Sequence, residues 1–154
     1  MRALGASQLT GSLFGSDLSY GDVIENFFAW EGQTLIGTQP VDRIECVVLE
    51  SKPGKDQKSE FASVRSWVDT RRLVPLRIEK YLPSGELARR IDTTLVVRDD
   101  KGRNIPGNLN IRGFEDESTT QIEGSKLRHG VGYDDREFTP EGLGDTAPPR
   151  TASD

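Results

Sequence analysis

The sequence has little of the side-chain chemistry on which most metal proteins rely. Its 154 residues include one cysteine, Cys46, and one histidine, His129. A single cysteine cannot form an intrachain disulfide, and no spacing of histidine and cysteine is typical of a zinc site. We therefore expect Cys46 to be a small buried apolar residue within the run IECVVLE, and His129 to be a solvated or hydrogen-bonded imidazole. The sequence predicts no metal and no cofactor.

Motifs for covalent catalysis are missing as well. No serine lies in a nucleophile elbow, and no glycine-rich loop follows a strand and opens a helix at the spacing of a phosphate cradle. The acidic pairs Asp99-Asp100 and Asp134-Asp135 fall in predicted connections, where turn and capping chemistry explains them. The sequence therefore predicts a protein that is not an enzyme.

Long apolar runs and basic patches are also missing. No stretch approaches the roughly 20 apolar residues of a membrane span. The opening MRALGASQLTGSLFG is too short and too polar for a signal peptide, so the chain as given shows no export signal. The 20 Lys and Arg residues are interspersed with 25 Asp and Glu residues, for a net charge of −5. This balance argues against nucleic acid as a partner.

What the sequence does contain is the pattern of a β-sheet. From Gln33 onward, β-branched runs broken by turn residues predict six or seven strands. Turn sequences at Pro83-Ser84-Gly85 and at Asp99 to Gly102 predict hairpins, so neighbouring strands should be antiparallel. Alternation predicts one apolar and one polar face. The residues expected on the apolar face are Val74, Leu76, Ile78 and Leu82 in one strand and Leu87, Ile91, Leu95 and Val97 in the next.

One short helix is predicted before the sheet, in SYGDVIENFFAW. Ser19 stands three residues before Asp22, as in a capping box, and the apolar residues at 23, 24, 27 and 28 should share one helical face. We expect one domain over residues 1–140. The Pro-rich, polar residues 141–154 should form a disordered tail.

Three stretches of the chain occur in an order typical of a known family: GSDLSYGDVIENF, GTQPVDRIECVVLESKP and FASVRSWVDTRRLVPLRIEKYLPSGELAR. The chain resembles the outer-membrane lipoprotein-sorting proteins, which have the fold of the periplasmic lipoprotein carrier LolA. The resemblance covers Leu13 to Phe138. It rests on Gly15 to Tyr20, Val41 to Pro53, and Trp67, Asp69, Pro75, Leu76, Glu79, Tyr81 and Gly85.

The resemblance implies a mainly β fold: a curved antiparallel sheet, an open or half barrel, with few short helices on its concave face. It also implies a non-enzymatic periplasmic carrier of lipid or lipoprotein acyl chains, which acts in lipoprotein sorting to the outer membrane. Burial of acyl chains against the apolar face would supply the affinity. The side chains expected to contact lipid, each of which is also an ordinary core candidate, are Leu76, Ile78, Ile91, Leu95, Leu109 and Ile111.

An alternative function stays open at this point. The same fold could serve as a protein-interaction module or a regulator of envelope stress, with a membrane-associated partner protein. A cavity of several hundred Å³ that is open to solvent favours the carrier, whereas a filled core favours the interaction module.

The chain also departs from the family pattern. Gly21 and Val23 replace an acid and a leucine, and the signal peptide and first strands that the family has before this motif are missing from the chain as given. We therefore expect the chain to be the C-terminal portion of the fold. The strand near Thr34 to Gly37 or Arg43 to Glu50 should then have an unpaired edge, and we expect it to pair with a second copy in a homodimer.

Overall fold

The structure is a computed structural model that describes residues 10–114, 118–124, 127, 129–130, 132 and 135–139. One seven-stranded antiparallel sheet dominates it, and each strand pairs with its neighbours in sequence. The strands are β1 (Gly32–Val41), β2 (Ile44–Lys52), β3 (Ser63–Asp69), β4 (Val74–Tyr81), β5 (Leu87–Arg98), β6 (Asn104–Gly113) and β7 (Thr119–Glu123). Helix α1 (Tyr20–Ile24) precedes the sheet, and 3-10 turns lie at Phe27–Ala29 and Asp135–Phe138. The predicted mainly β, curved and open sheet with few short helices is confirmed.

The predicted hairpins form where the turn chemistry places them. Gly85 joins β4 to β5 with φ +88°, and Gly102 joins β5 to β6 with φ +75°. This region of backbone space is one that glycine adopts without the steric cost of a Cβ atom. Because each hairpin reverses the chain, consecutive strands become antiparallel neighbours.

Helix α1 starts as predicted and ends earlier than predicted. The Ser19 hydroxyl accepts a hydrogen bond from the Asp22 N–H, and the Asp22 carboxylate accepts one from the Ser19 N–H, which is a complete capping box. The helix stops at Ile24 because Glu25 is extended. The expected apolar helical face is therefore wrong: Phe27 is buried, whereas Val23, Ile24 and Phe28 are exposed.

The strand register defines two faces of the sheet. One cross-strand row contains Leu49, Ser66, Ile78, Ile91 and Ile111, and we call its side the helix face because the turn at Phe27–Ala29 packs there. The adjacent row contains Glu50, Arg65, Glu79, Arg90 and Arg112, and we call its side the ladder face.

Each face carries one apolar cluster, which corrects the expectation that one face is apolar and the other polar. The helix-face cluster contains Phe27, Trp30, Phe61 and Val64. The ladder-face cluster contains Val41, Cys46, Val48, Trp67 and Leu76. The expectation for Cys46 is met, since its side chain is fully buried.

A β-bulge in β4 explains why the predicted alternation fails. Val68 pairs with Pro75 and Trp67 pairs with Arg77, so Leu76 has no partner in the register. An extra residue of this kind interrupts the period of two along a strand. Leu76 therefore packs with Val48 and Trp67 on the ladder face, whereas Ile78 packs on the helix face.

The first strand forms one edge of the sheet. Within the described residues, β1 pairs only with β2, so Thr34 to Gly37 lies at an open edge and the alternative edge, Arg43 to Glu50, does not. Residues 141–154, the predicted tail, lie outside the described residues. The single domain over residues 1–140 stays a prediction. No described helix has both the length and the apolar character to span a bilayer.

Candidate functional site

A segment at residues 10–19, which we call the strap, lies against the end of the sheet near β7. The Asp17 N–H donates to the Thr120 hydroxyl oxygen at 2.9 Å. The Asp17 carboxylate in turn accepts hydrogen bonds from the hydroxyls of Thr120, at 2.6 Å, and of Ser118. Asp17 therefore fastens the strap to β7, and the chain continues from there into α1.

A cavity of about 560 Å³ lies between the strap and the sheet. Its volume falls within the range typical of small-molecule sites. The residues around it are strap residues (Thr10, Ser12, Gly15, Ser16, Asp17, Leu18 and Ser19), connecting residues (Glu60, Phe61, Leu82, Phe114 and Ser118) and strand residues (Ala88, Arg89, Gly113, Thr119 and Thr120). Hydroxyl groups, two carboxylates and one guanidinium therefore dominate the wall.

Beside the cavity, α1 is joined to the sheet by a buried ion cluster. Asp22 Oδ1 accepts a hydrogen bond from Lys80 Nζ at 2.6 Å, and Asp22 Oδ2 forms an ion pair with Arg89. The side chains of Asp22 and Lys80 are each only 1% exposed. The Lys80 ammonium also lies 5.5 Å and 4.9 Å from the ring centroids of Phe27 and Phe61. One carboxylate and two aromatic rings therefore compensate the charge of the buried ammonium.

Two further carboxylates lie close to this cluster. The Ser19 hydroxyl is 3.0 Å from Asp22 Oδ2 and 3.2 Å from Glu60 Oε1, so one hydroxyl faces both acids. Burial raises the pKa of Glu25, although its hydrogen bond from the Ser59 hydroxyl acts in the opposite direction. The N-terminal segment therefore brings Asp22 and Glu25, and the β2–β3 connection brings Glu60, to a face on which the sheet carries Lys80 and Arg89.

The six residues predicted to contact lipid do not line this cavity. Four of them, Ile78, Ile91, Leu109 and Ile111, share the helix face, where Ile111 is fully buried and the other three are half-buried. Thr120, which lines the cavity, pairs directly with Ile111, so the cavity borders this apolar row.

The other two predicted contacts lie elsewhere. Leu76 is 5% exposed within the ladder-face cluster, and Leu95 is 46% exposed beside the unpaired Thr94 of a second bulge. Lipid contact by any of the six stays a prediction.

A separate group of potential metal ligands occurs at the β5–β6 hairpin. Ligand atoms of Asp99, Asp100 and His129 lie within 4.8 Å of one another. The Arg103 guanidinium donates to Asp99 Oδ2 at 2.8 Å and contacts His129 Nε2 at 2.6 Å. Hydrogen bonds from the backbone N–H and the ring of His129 lower the pKa of Asp100. The group is therefore a hydrogen-bonded network that contains one ion pair, between Arg103 and Asp99.

Comparison with known proteins gives a family but no activity. A family model described only as an uncharacterized protein family matches residues 1–145. A search of curated proteins finds no match.

Three solved structures share the fold. A DUF1329 family protein from Desulfovibrio piger is 26% identical, with a TM-score of 0.81 over 92% of this chain and 59% of that one. An outer membrane lipoprotein-sorting protein domain from Vibrio parahaemolyticus is 19% identical, with a TM-score of 0.76 over 90% of this chain and 59% of that one. A LolA superfamily protein from Nitrosomonas europaea is 22% identical, with a TM-score of 0.67 over 87% of this chain and 60% of that one. The chain therefore spans about three fifths of the length of these proteins, and the resemblance to a LolA-like fold is confirmed.

Proposed function

Because this chain belongs to that uncharacterized family and has a LolA-like fold, we propose that it binds lipid or lipoprotein acyl chains in the periplasm without covalent chemistry. Two of the solved proteins that share the fold carry lipoprotein sorting or LolA in their names. By this proposal the chain takes part in lipoprotein sorting to the outer membrane.

One observation supports this proposal most directly: a cavity of ligand size borders a half-buried apolar row. The cavity of about 560 Å³ lies between the strap and β7, and the row runs from Ile111 through Ile91 to Ile78. An acyl chain that leaves the cavity along this row would remove its methylene groups from water. Each buried methylene contributes about 0.8 kcal/mol to binding.

We propose Ile78, Ile91, Leu109 and Ile111 as the acyl contacts on the helix face. Ile78, Ile91 and Leu109 are half-buried, so their remaining exposed surface is free to contact a ligand. Ile111 is already fully buried, so its part is to support the floor of the row.

The test is native mass spectrometry of the delipidated protein with palmitate and with a palmitoylated peptide. We expect one bound chain per protein molecule, and weaker binding by Ile91→Asn. The matched control is Leu73→Asn, in which an equally apolar side chain, 78% exposed in the β3–β4 turn with φ +57°, is replaced. Wild-type protein that binds neither ligand contradicts the proposal.

A second candidate function is supported by the open edge of β1. Leu35 is 63% exposed and Ile36 is 47% exposed on this strand. Exposed apolar edge strands are templates for pairing with another chain. This edge suits an interaction module, with a second copy or a membrane-associated protein as partner. Light scattering over a concentration series tests the homodimer, and a single monomeric species at every concentration contradicts it.

A further inference from the structure

The polar wall of the strap cavity suits a ligand group that carries both signs of charge. We propose that this cavity binds a zwitterionic head group, with its phosphate against Arg89 and its primary ammonium against Glu60 and Asp17. This inference rests on the proposed function, because it identifies the class of lipid whose acyl chains would follow the helix face.

Arg89 supplies the positive side of the site. Its side chain lines the cavity and is 18% exposed, and one terminal nitrogen forms an ion pair with Asp22. The buried Nε has no hydrogen-bond partner within the described residues. A guanidinium has five N–H donors in a planar fork that suits phosphate oxygens, so Arg89 retains donor capacity that Asp22 does not use.

Glu60 and Asp17 supply the negative side. Both line the cavity, and Glu60 Oε1 is held 3.2 Å from the Ser19 hydroxyl. The Ser19 hydroxyl also contacts the carboxylate of Asp22, and Asp22 forms an ion pair with Arg89. Two residues, Ser19 and Asp22, therefore connect Glu60 to the guanidinium. The opposite charges are therefore close neighbours on one wall, as in a zwitterion.

The presence of both signs of charge argues against a ligand of one sign. Around the cavity and the ion cluster stand four carboxylates, on Asp17, Asp22, Glu25 and Glu60, and two cations, on Lys80 and Arg89. A purely anionic head group would be repelled by Glu60 and Asp17, and a purely cationic group would be repelled by Arg89. A phosphate joined to a short ammonium arm has a favourable partner for each charge.

The route for the acyl chains is also present. Leu82, Ala88 and the 41% exposed Phe114 form apolar parts of the wall, and Thr120 joins the cavity to the Ile111 row. A head group in the cavity would thus leave its chains next to the helix face.

The experiment is calorimetric titration of the delipidated full chain with dioctanoyl lipids that differ only in the head group. We expect the ethanolamine lipid to bind about tenfold more tightly than the glycerol lipid, which lacks the ammonium. It should also bind more tightly than the choline lipid, whose methylated nitrogen cannot donate hydrogen bonds to carboxylates. Equal affinity for the three lipids overturns the inference and leaves the proposed function standing.

Two further ligands show whether the acyl-binding proposal or the head-group proposal has failed. Octanoate that does not bind, together with glycerophosphoethanolamine that binds as tightly as the whole ethanolamine lipid, contradicts acyl binding and supports a site for a free zwitterion. Glycerophosphoethanolamine that does not compete with the ethanolamine lipid, even at millimolar concentration, counts against the head-group site.

Glu60→Gln tests the proposed carboxylate partner of the ammonium without disturbing the buried ion pairs. The amide oxygen still accepts a hydrogen bond from Ser19, so the fold should be retained and only the ammonium partner weakened. Because Asp17 remains, we expect the preference for ethanolamine over glycerol to fall from about tenfold to about threefold. Glu45→Gln, at an exposed position of β2, is the control and should keep the full preference. Unchanged preference in both Glu60→Gln and Asp17→Asn overturns the inference.

Discussion

Ion pairs at consecutive residues of β4 differ in how far their partners are buried. Glu79 pairs with Arg90 on the ladder face at 2.7 Å, where the Glu79 side chain is 9% exposed and the Arg90 side chain is 30% exposed. One residue further along β4, Lys80 lies on the helix face, where it meets Asp22 at 2.6 Å and is 1% exposed. The ladder pair is supplied by neighbouring strands of the sheet. The buried pair needs an acid from α1, so it joins the N-terminal segment to the sheet.

The difference in burial implies a difference in energetic role. Ion pairs that are exposed to solvent contribute about 0–1 kcal/mol, whereas loss of one partner from a buried pair costs about 3–5 kcal/mol because the other charge stays buried. Loss of Asp22, which leaves the fully buried Lys80 without a counter-charge, should therefore cost the most stability, whereas a pair such as Arg77 and Asp92, whose side chains are 30% and 34% exposed, should be nearly neutral.

The largest effect is expected from Asp22→Asn. This change leaves Lys80 and Arg89 without their shared counter-charge, so the free energy of unfolding should fall by about 3–5 kcal/mol, measured by urea denaturation at pH 7. A loss below about 1 kcal/mol, the range of an exposed pair, would remove the distinction between the two faces.

Leu76→Ala should separate stability from ligand binding. Leu76 is buried in the ladder-face cluster, so its truncation should lower the free energy of unfolding by about 2–5 kcal/mol. Because this cluster lies on the face opposite to the proposed acyl row, the Kd for palmitate of the folded variant should not change. Ile91→Ala, on the helix face, is the matched variant in which the Kd should rise. Weaker binding by folded Leu76→Ala would indicate that the ligand contacts the ladder face, which contradicts the proposed acyl row.

Glu25→Gln should give a stability difference that grows with pH. Burial raises the pKa of Glu25 above its ordinary value of 4.5, and its charged neighbours are Lys80, Glu60 and Asp22. A raised pKa in the folded state favours the folded protein at low pH, and this contribution is lost as the pH rises through the raised value. Glutamine does not ionise and can keep the Ser59 hydrogen bond. We therefore expect the variant to gain stability relative to wild type between pH 4 and pH 7 in parallel denaturant titrations.

Glu50→Gln on the ladder face should show the opposite trend. Its hydrogen bond from Lys52 lowers the pKa of Glu50 despite partial burial, and Arg65 acts in the same direction as Lys52. A lowered pKa in the folded state stabilises the protein above pH 4.5, and this contribution disappears as the pH falls through the lowered value. Glu50→Gln should therefore destabilise at pH 7, and its difference from wild type should shrink as the pH falls below 4.5. If the stability difference from wild type changed in the same direction with pH in both the Glu25 and the Glu50 variant, the assigned directions of the two pKa shifts would be contradicted.

The smallest effect is expected from Asp92→Asn. Asp92 Oδ1 accepts from Arg77 Nε at 2.7 Å, but the two side chains are 34% and 30% exposed. Water competes for both groups, so the free energy of unfolding should change by less than about 1 kcal/mol. Asp92→Asn is the exposed counterpart of Asp22→Asn, because each change removes one carboxylate charge from an ion pair with a strand residue.

The sequence predicts the sheet better than it predicts the site. Alternation and turn chemistry are local, so they predict the antiparallel sheet and its hairpins at Gly85 and Gly102. The bulge at Leu76 depends on pairing with β3, which no pattern within β4 reveals. This is why one predicted apolar stripe is divided between two faces.

The buried ion cluster had a signal in the sequence. Lys80 stands at an apolar-face position between Ile78 and Leu82, and Arg89 stands between Leu87 and Ile91. A charge at such a position requires a buried partner, but the sequence does not say which of its many acids provides it. Asp22 becomes that partner only through the path of the strap and α1 across the sheet.

The central claim, that acyl chains lie on the helix face, is tested most directly by NMR with a spin-labelled fatty acid. A nitroxide on the acyl chain broadens the signals of nearby nuclei in the isotopically labelled full chain. Acyl chains on the helix face should broaden the Ile78 and Ile91 methyl signals more strongly than those of Val41 and Val48 in the ladder-face cluster. Broadening confined to the ladder-face cluster or to the β1 edge would contradict it.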